Sequence, residues 1–261
     1  MEPAQLEAAG LRLDLAGPVA TVTLDRPATR NAQTPTMWRT MAALGESLSD
    51  DVRVVVVRGA NGTFSAGLDR SLLMPGAADG QERVGDLLSA SDDVVLDTID
   101  DYQRGFTWLR DPRFVSIAVV EGHAIGAGFQ LALSCDLRLA GDDARFCMKE
   151  VALGLVPDLT GTKPLVDAVG HARALEICAT ARTVEAPEAV RIGLVLAHHP
   201  ADRLDDALAE LVTALTTPMV GAVRETTALL QGIDERDLDE QRLLERTAQA
   251  RRFRELAALL G

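Results

Sequence analysis

The sequence predicts an α/β core followed by a helical C-terminal region. Two valine-rich runs, Val52 to Arg58 and Val115 to Val120, are each followed by a glycine-containing turn. Short, nearly continuous β-branched runs of this kind fit strands covered on both faces, as in a parallel sheet. From about Thr183 onward the apolar residues recur mainly at helical spacing.

The elements can be justified in chain order. Leu11 to Leu15 alternates apolar and polar, Ala16-Gly17-Pro18 breaks the pattern, and Val19 to Leu24 resumes it, so this stretch predicts a hairpin. Thr34 followed by Pro35 is a helix-start signal, and Met37, Trp38, Met41, Leu44 and Leu48 then recur at helical spacing. A second helical stretch runs from about Val94 to Leu109 and stops at Asp111-Pro112, and another helix opens at Gly126. Arg70 to Asp93, rich in Gly, Ala, Asp and Ser, predicts a mobile surface insertion. Helices are expected at Pro187 to Ile192, Ala201 to Thr216, Pro218 to Gln231 and Glu235 to Leu260. No repeat and no Pro/Ser-rich linker divides the chain. The expected organisation is a core over residues 1–182 and a helical region over 183–261.

Composition narrows the function. With 261 residues, 47% hydrophobic and 25% charged, the chain is long enough for one large core. No apolar run reaches the ~20 residues of a membrane span, and Met1-Glu2-Pro3 lacks the flank of a signal peptide, so the expected compartment is the cytoplasm, away from membranes. A net charge of -13 argues against a nucleic-acid partner, because phosphate backbones are bound by basic surfaces. Cys135, Cys147 and Cys178 lie far apart without a CxxC pair, and His123, His171, His198 and His199 have no ligand spacing, so no metal is expected.

The chemistry concentrates in two turns, Phe64 to Asp69 and Glu121 to Gln130. Small residues there let backbone approach a ligand, and a helix N-terminus aims free N–H groups at negative charge. Two converging donors make an oxyanion hole, suited to a carbonyl whose oxygen gains charge during reaction. A dinucleotide site is the alternative for Gly126-Ala127-Gly128, but Leu131 stands where that fingerprint wants a third small residue. Ser65 and Ser134 have no nearby His/Asp pattern of a nucleophilic triad.

At this point a family resemblance becomes specific. Leu24-Asp25-Arg26-Pro27 to Arg30-Asn31-Ala32, Val54 to Val57 running into Phe64-Ser65-Ala66-Gly67-Leu68-Asp69, Val120-Glu121-Gly122 to Cys135-Asp136-Leu137-Arg138, and Gly154 to Asp158 resemble in order the blocks of the crotonase superfamily. His171 to Glu176 and Glu188-Ala189 to Val195 continue the match over nearly the whole chain. The resemblance implies a spiral of ββα turns, a C-terminal helical region used in trimer contacts, and a homotrimer or homohexamer. It implies an acyl-CoA thioester as substrate, with coenzyme A part of the substrate and no separate cofactor.

Carried over by position, the backbone N–H groups of Leu68 and Ala127 form the oxyanion hole, and Arg26, Arg30, Ala32, Ala66 and Asp69 flank the CoA path. The hydratases of the family hold a water between two glutamates. Here the first is replaced by Gln130, whose amide can hold a water but cannot take its proton, while Glu150 matches the second. Lys149 precedes it where the family often has proline. Relatives that move a double bond often carry an acid/base near Asp158, for which a turn or N-cap role is the alternative. Three readings follow: a hydratase using Glu150 with Gln130 holding the water, placed first; an isomerase using Asp158; and a non-catalytic acyl-CoA-binding protein. The acyl pocket is expected to involve Arg70 to Asp93 and Tyr102 to Trp108.

Overall fold

The computed structural model of the protein describes residues 1–73 and 82–260. It begins with helix α1 (Pro3–Ala8), strands β1 (Leu11–Ala16) and β2 (Val19–Leu24), helix α2 (Pro35–Ser47) and strand β3 (Val54–Gly59). Helix α3 (Asp92–Thr107), strands β4 (Val115–Val120) and β5 (His123–Ile125), helix α4 (Ala127–Ser134), and strands β6 (Leu137–Gly141) and β7 (Arg145–Cys147) follow. Next come helices α5 (Thr162–Val169) and α6 (His171–Thr180), strand β8 (Val184–Glu185), helix α7 (Ala186–Arg191) and strand β9 (Ala197–His199). Helices α8 (Ala201–Thr216), α9 (Val220–Leu230) and α10 (Leu238–Leu260) close the chain.

The large sheet has the order β1-β2-β3-β4-β6-β9, with the β1/β2 hairpin antiparallel and every other pair parallel. Its valines are explained by what covers each face. Val55, Val57, Ala118 and Val120 enter the main core with Met37, Trp38, Met41 and Leu44 of α2 and Tyr102 and Phe106 of α3. The alternate residues, Val54, Val56, Ile117 and Val119, pack against Leu204, Leu208, Leu211 and Leu215 of α8. With side chains at a period of two and both faces dry, apolar residues are favoured throughout, and the buried Ser116 of β4 is hydrogen-bonded to the Leu109 carbonyl and to Asp136. The helix-start signal at Thr34 is a working cap, since its Oγ accepts the Met37 N–H at 3.2 Å.

A second sheet, β5-β7-β8, stands beside the first. Two strands lie past residue 182, β8 paired with β7 and β9 with β6. The core therefore runs to His199, and the purely helical region starts at Ala201. Helix α9 is tied back to the core, Arg224 Nε donating to the Arg113 carbonyl at 2.7 Å and Gln231 Nε2 to Asp136 Oδ1 at 3.3 Å. Among the described residues no single helix is long and apolar enough to cross a membrane.

Within the expected insertion at Arg70 to Asp93, residues 74–81 lie outside the described residues. The described part includes two 3-10 turns, Arg70–Leu73 and Val84–Ser89, that wall a cavity, and its last two residues, Asp92 and Asp93, open α3. Glu82 anchors this segment, paired with Arg39 of α2 and accepting the Tyr102 hydroxyl of α3 at 2.7 Å.

Candidate active site

The first turn is fixed by backbone pairing that continues beyond the named strands. Ser65 N–H donates to the His123 carbonyl at 2.7 Å, and Ile125 N–H returns a bond to the Ser65 carbonyl at 3.0 Å. Further on, Gln33 N–H donates to the Gly67 carbonyl at 2.7 Å and Asp69 N–H to the Gln33 carbonyl at 2.8 Å. Leu68 sits between these two bonds, so its own N–H points away from Gln33. A buried side-chain network holds the turn. Ser65 Oγ donates to the Asn31 carbonyl at 2.8 Å and accepts from Gly67 N–H and Gln33 Nε2, both at 3.1 Å. Gln33 Oε1 in turn accepts Trp38 Nε1 at 2.8 Å. A network this fully satisfied keeps the loop rigid.

The second turn leads from β5 into α4. Gly126 N–H donates to the Cys147 carbonyl at 2.8 Å and reverses the chain at φ 52° and ψ -120°, a conformation open to glycine. Ala127 is then the first residue of the helix, where an N–H has no intrahelical acceptor. The two turns are in contact: a Cβ on Gly67, whose φ is 89°, would stand 2.5 Å from the Ile125 oxygen and 3.6 Å from the Ala127 nitrogen. Among the described residues neither the Leu68 nor the Ala127 N–H donates to a backbone acceptor. Both residues face one cavity of about 360 Å³. That pair can receive a carbonyl oxygen that gains charge.

Glu150 opens a 3-10 turn, Glu150–Leu153, just after β7, and is buried. Its Oε1 accepts Gln130 Nε2 at 2.7 Å, while its Oε2 is buried with no partner among the described residues. Burial pushes the carboxyl above its ordinary value and the Asp158 charge adds to this, against the lowering effect of the Gln130 hydrogen bond. Asp158 lines the same cavity, and burial raises its carboxyl too. It does not cap α5, because that helix starts at Thr162 with Gly161 at the cap.

Gln130, expected to hold a water, makes its hydrogen bonds within the protein. It is fully buried and lies outside the cavity wall. Its Oε1 accepts the Leu159 N–H at 2.8 Å and the Gly161 N–H at 3.3 Å, so both lone pairs are engaged by backbone. Arg26, expected beside the CoA path, is likewise bonded within the protein. Its guanidinium donates to the Ala32 carbonyl at 2.5 Å and to Asp69 Oδ2 at 2.9 Å, which makes it an internal tie. Burial works against ionisation of Asp69, but donation from Ser71 and Arg26 outweighs it, and the carboxyl stays below its usual range. Arg30 is exposed at φ 53°, and its carbonyl accepts the Ala66 N–H at 2.9 Å. Ala32 is buried, and Ala66 lines the cavity.

Val84, Leu87 and Tyr102 of the wall fall in the two segments expected to shape the acyl pocket, whereas sequence reasoning missed Trp38, Val95 and Ile99. Val95, Ile99 and Tyr102 recur at spacings of four and three, so they share one face of α3, and that periodicity was the available signal. The Gln33–Ser65 network had none.

The family model for enoyl-CoA hydratase/isomerase matches residues 15–258. The chain belongs to the enoyl-CoA hydratase/isomerase family. Its α/β architecture is that of the crotonase-fold members of this family. A Thermobifida fusca protein described as a candidate enoyl-CoA hydratase, solved with acetoacetyl-CoA, is 48% identical with a TM-score of 0.93, covering 97% of this chain and 98% of that one. A candidate enoyl-CoA hydratase of Mycobacterium tuberculosis is 31% identical over 234 residues, 87% of this chain and 83% of its own. The human mitochondrial Delta(3,5)-Delta(2,4)-dienoyl-CoA isomerase is 36% identical over 211 residues, 78% of this chain and 63% of its own.

Proposed function

We propose that the protein is an enoyl-CoA isomerase, moving a double bond along an apolar acyl chain bound as a CoA thioester. One observation carries this reading: Glu150 and Asp158 line the same cavity as the two free N–H groups, whereas Gln130 does not. The thioester oxygen would lie against the Leu68 and Ala127 N–H groups. One carboxylate takes a proton from the acyl chain, the negative charge delocalises onto that oxygen, and a protonated carboxyl delivers a proton to a different carbon. The double bond shifts at constant mass, and no water is needed. Carboxyls whose pKa values are raised are well matched to such transfers near neutral pH. The apolar wall, with Leu73, Leu87, Val95, Ile99 and Leu159, favours an uncharged acyl group.

The sequence places hydration first, and the Thermobifida fusca relative bears a hydratase name. Hydration remains the second reading, with Glu150 its one matching glutamate. In the assembled enzyme, exposed Leu238, Leu243 and Phe253 of α10 are proposed as part of a contact between copies in a trimer or hexamer.

The test is a screen of saturated, 2-enoyl and 3-enoyl CoA thioesters with mass-spectrometric product analysis. The expected result is a shifted double bond at unchanged mass, reduced by about two to four powers of ten in Asp158→Asn. Gain of one water with an undisturbed Asp158→Asn would replace isomerisation by hydration. Binding without turnover of any thioester would leave a non-catalytic acyl-CoA carrier.

A further inference from the structure

We infer that Gln130 is a positioning residue, which clamps Glu150 to the 158–161 turn and directs its exchangeable proton to Oε2. This rests on the reading of Glu150 as the acid/base, and it begins with the orientation of the amide. Two backbone N–H groups, from Leu159 and Gly161, converge on Gln130 Oε1 at 2.8 and 3.3 Å. Backbone N–H groups can only donate, so the atom they meet must be the amide oxygen. The other end of the amide is then NH2, and it faces Glu150 Oε1 at 2.7 Å. An N–H donor is better met by the carbonyl oxygen of a carboxyl than by its hydroxyl oxygen, so the clamp favours Oε1 as the unprotonated oxygen. The proton is thereby directed to Oε2, the buried oxygen with no partner among the described residues. Without the clamp, a carboxyl can rotate and carry its proton on either oxygen.

The clamp also has a steric half. A Cβ at Gly161 would lie 2.6 Å from Gln130 Cγ, so the turn closes directly on this side chain. Thr160, between the two donors, is held at φ 66°, a conformation uncommon for a residue with a Cβ. The turn that carries Asp158 is thereby docked on the amide that aims Glu150. The titratable and charged groups around Glu150 are Asp158 and Lys149, which share its cavity wall, the Cys147 thiol at the end of β7 and the Cys178 thiol on α6. Gln130 contributes the side-chain hydrogen bond that favours the charged form, beside backbone groups of Glu150 and Lys149 that act the same way.

The test uses Gln130→Met, which keeps length and apolar bulk but removes the donor and acceptor, beside Gln130→Glu. Glu150 is titrated directly in the full-length protein by carboxyl carbon NMR, with Glu150→Gln assigning the signal. In Gln130→Met the Glu150 midpoint should move upward, because the one side-chain bond favouring the charged form is lost. The kcat for the preferred thioester should fall at least tenfold with KM little changed, and the acid limb of the pH profile should move upward with the NMR midpoint. In Gln130→Glu the new carboxyl keeps the backbone bonds and can donate to Glu150 only while protonated. Activity should then survive at low pH and decline as the pH rises and the introduced carboxyl ionises. An unmoved midpoint and pH profile in Gln130→Met would overturn the inference and leave Gln130 a packing residue. Should Gln130→Met not fold, an unchanged alkaline limb in Gln130→Glu overturns it equally. The NMR titration requires no turnover, so an isomerase reading that fails leaves this result standing.

Discussion

Glu150→Gln should lower turnover by roughly two to four powers of ten while leaving thioester binding nearly intact, because it removes the transferable proton and little else. The shape is preserved: the new amide can turn its oxygen toward Gln130 Nε2 and place its NH2 where Oε2 stood. Isothermal titration against a CoA thioester, beside steady-state kinetics, separates the two effects. Stability should change in the opposite direction to activity at neutral and higher pH. In the unfolded chain this carboxyl ionises at its ordinary value, whereas the folded protein holds the proton to higher pH. Over that interval the folded state binds more protons, so stability falls as the pH rises through the raised folded pKa. Below the ordinary value both states are neutral and the contribution is fully present. Glu150→Gln deletes that slope, so urea midpoints measured from mildly acid to mildly alkaline pH should fall less steeply than in the native protein. A variant that keeps native turnover would remove Glu150 from the chemistry.

Ala127→Pro comes next in size. The first position of a helix tolerates proline, whose missing N–H would be unsatisfied there in any case, so α4 should form. What is lost is one of two donors that face the cavity. Removal of such a donor typically costs about 3 to 4 kcal/mol in the transition state, or two to three powers of ten in kcat. Circular dichroism and CoA binding check that the variant is folded. Undiminished kcat in a folded, binding-competent Ala127→Pro protein would mean that the carbonyl oxygen sits elsewhere.

The strands and long helices were legible because their burial writes a period into the sequence. Val115–Val120 is buried along its whole length, and Ala201–Thr216 has an apolar face that the large sheet dictates. The expected helix near Val94 and the one at Thr34-Pro35 were found within two residues of their ends. Strands β5, β7 and β9, at three residues each, are too short to show any alternation, so the second sheet and the extension of the core to His199 stayed hidden. Helical spacing correctly set Gln130 one turn after Ala127. It could not tell which partners reach its amide, because Leu159 and Gly161 arrive through a crossing of the chain about thirty positions later. The Arg26 tie stayed hidden for the same reason: its partner Asp69 is 43 residues away.

The Leu68 and Ala127 amides, which find no acceptor among the described residues, also set a clock. Buried backbone hydrogens exchange with solvent slowly when a hydrogen bond must break first. The amides of Ser65, Asp69 and Ile125 are locked in this way into the pairing that frames the turns, while those of Leu68 and Ala127 are not. In deuterated buffer the latter two should lose their protons well ahead of their neighbours, fast islands inside slow loops. A saturated CoA thioester seated against them should bring their exchange down to the pace of the surrounding backbone, recording occupancy of the site with no reaction at all.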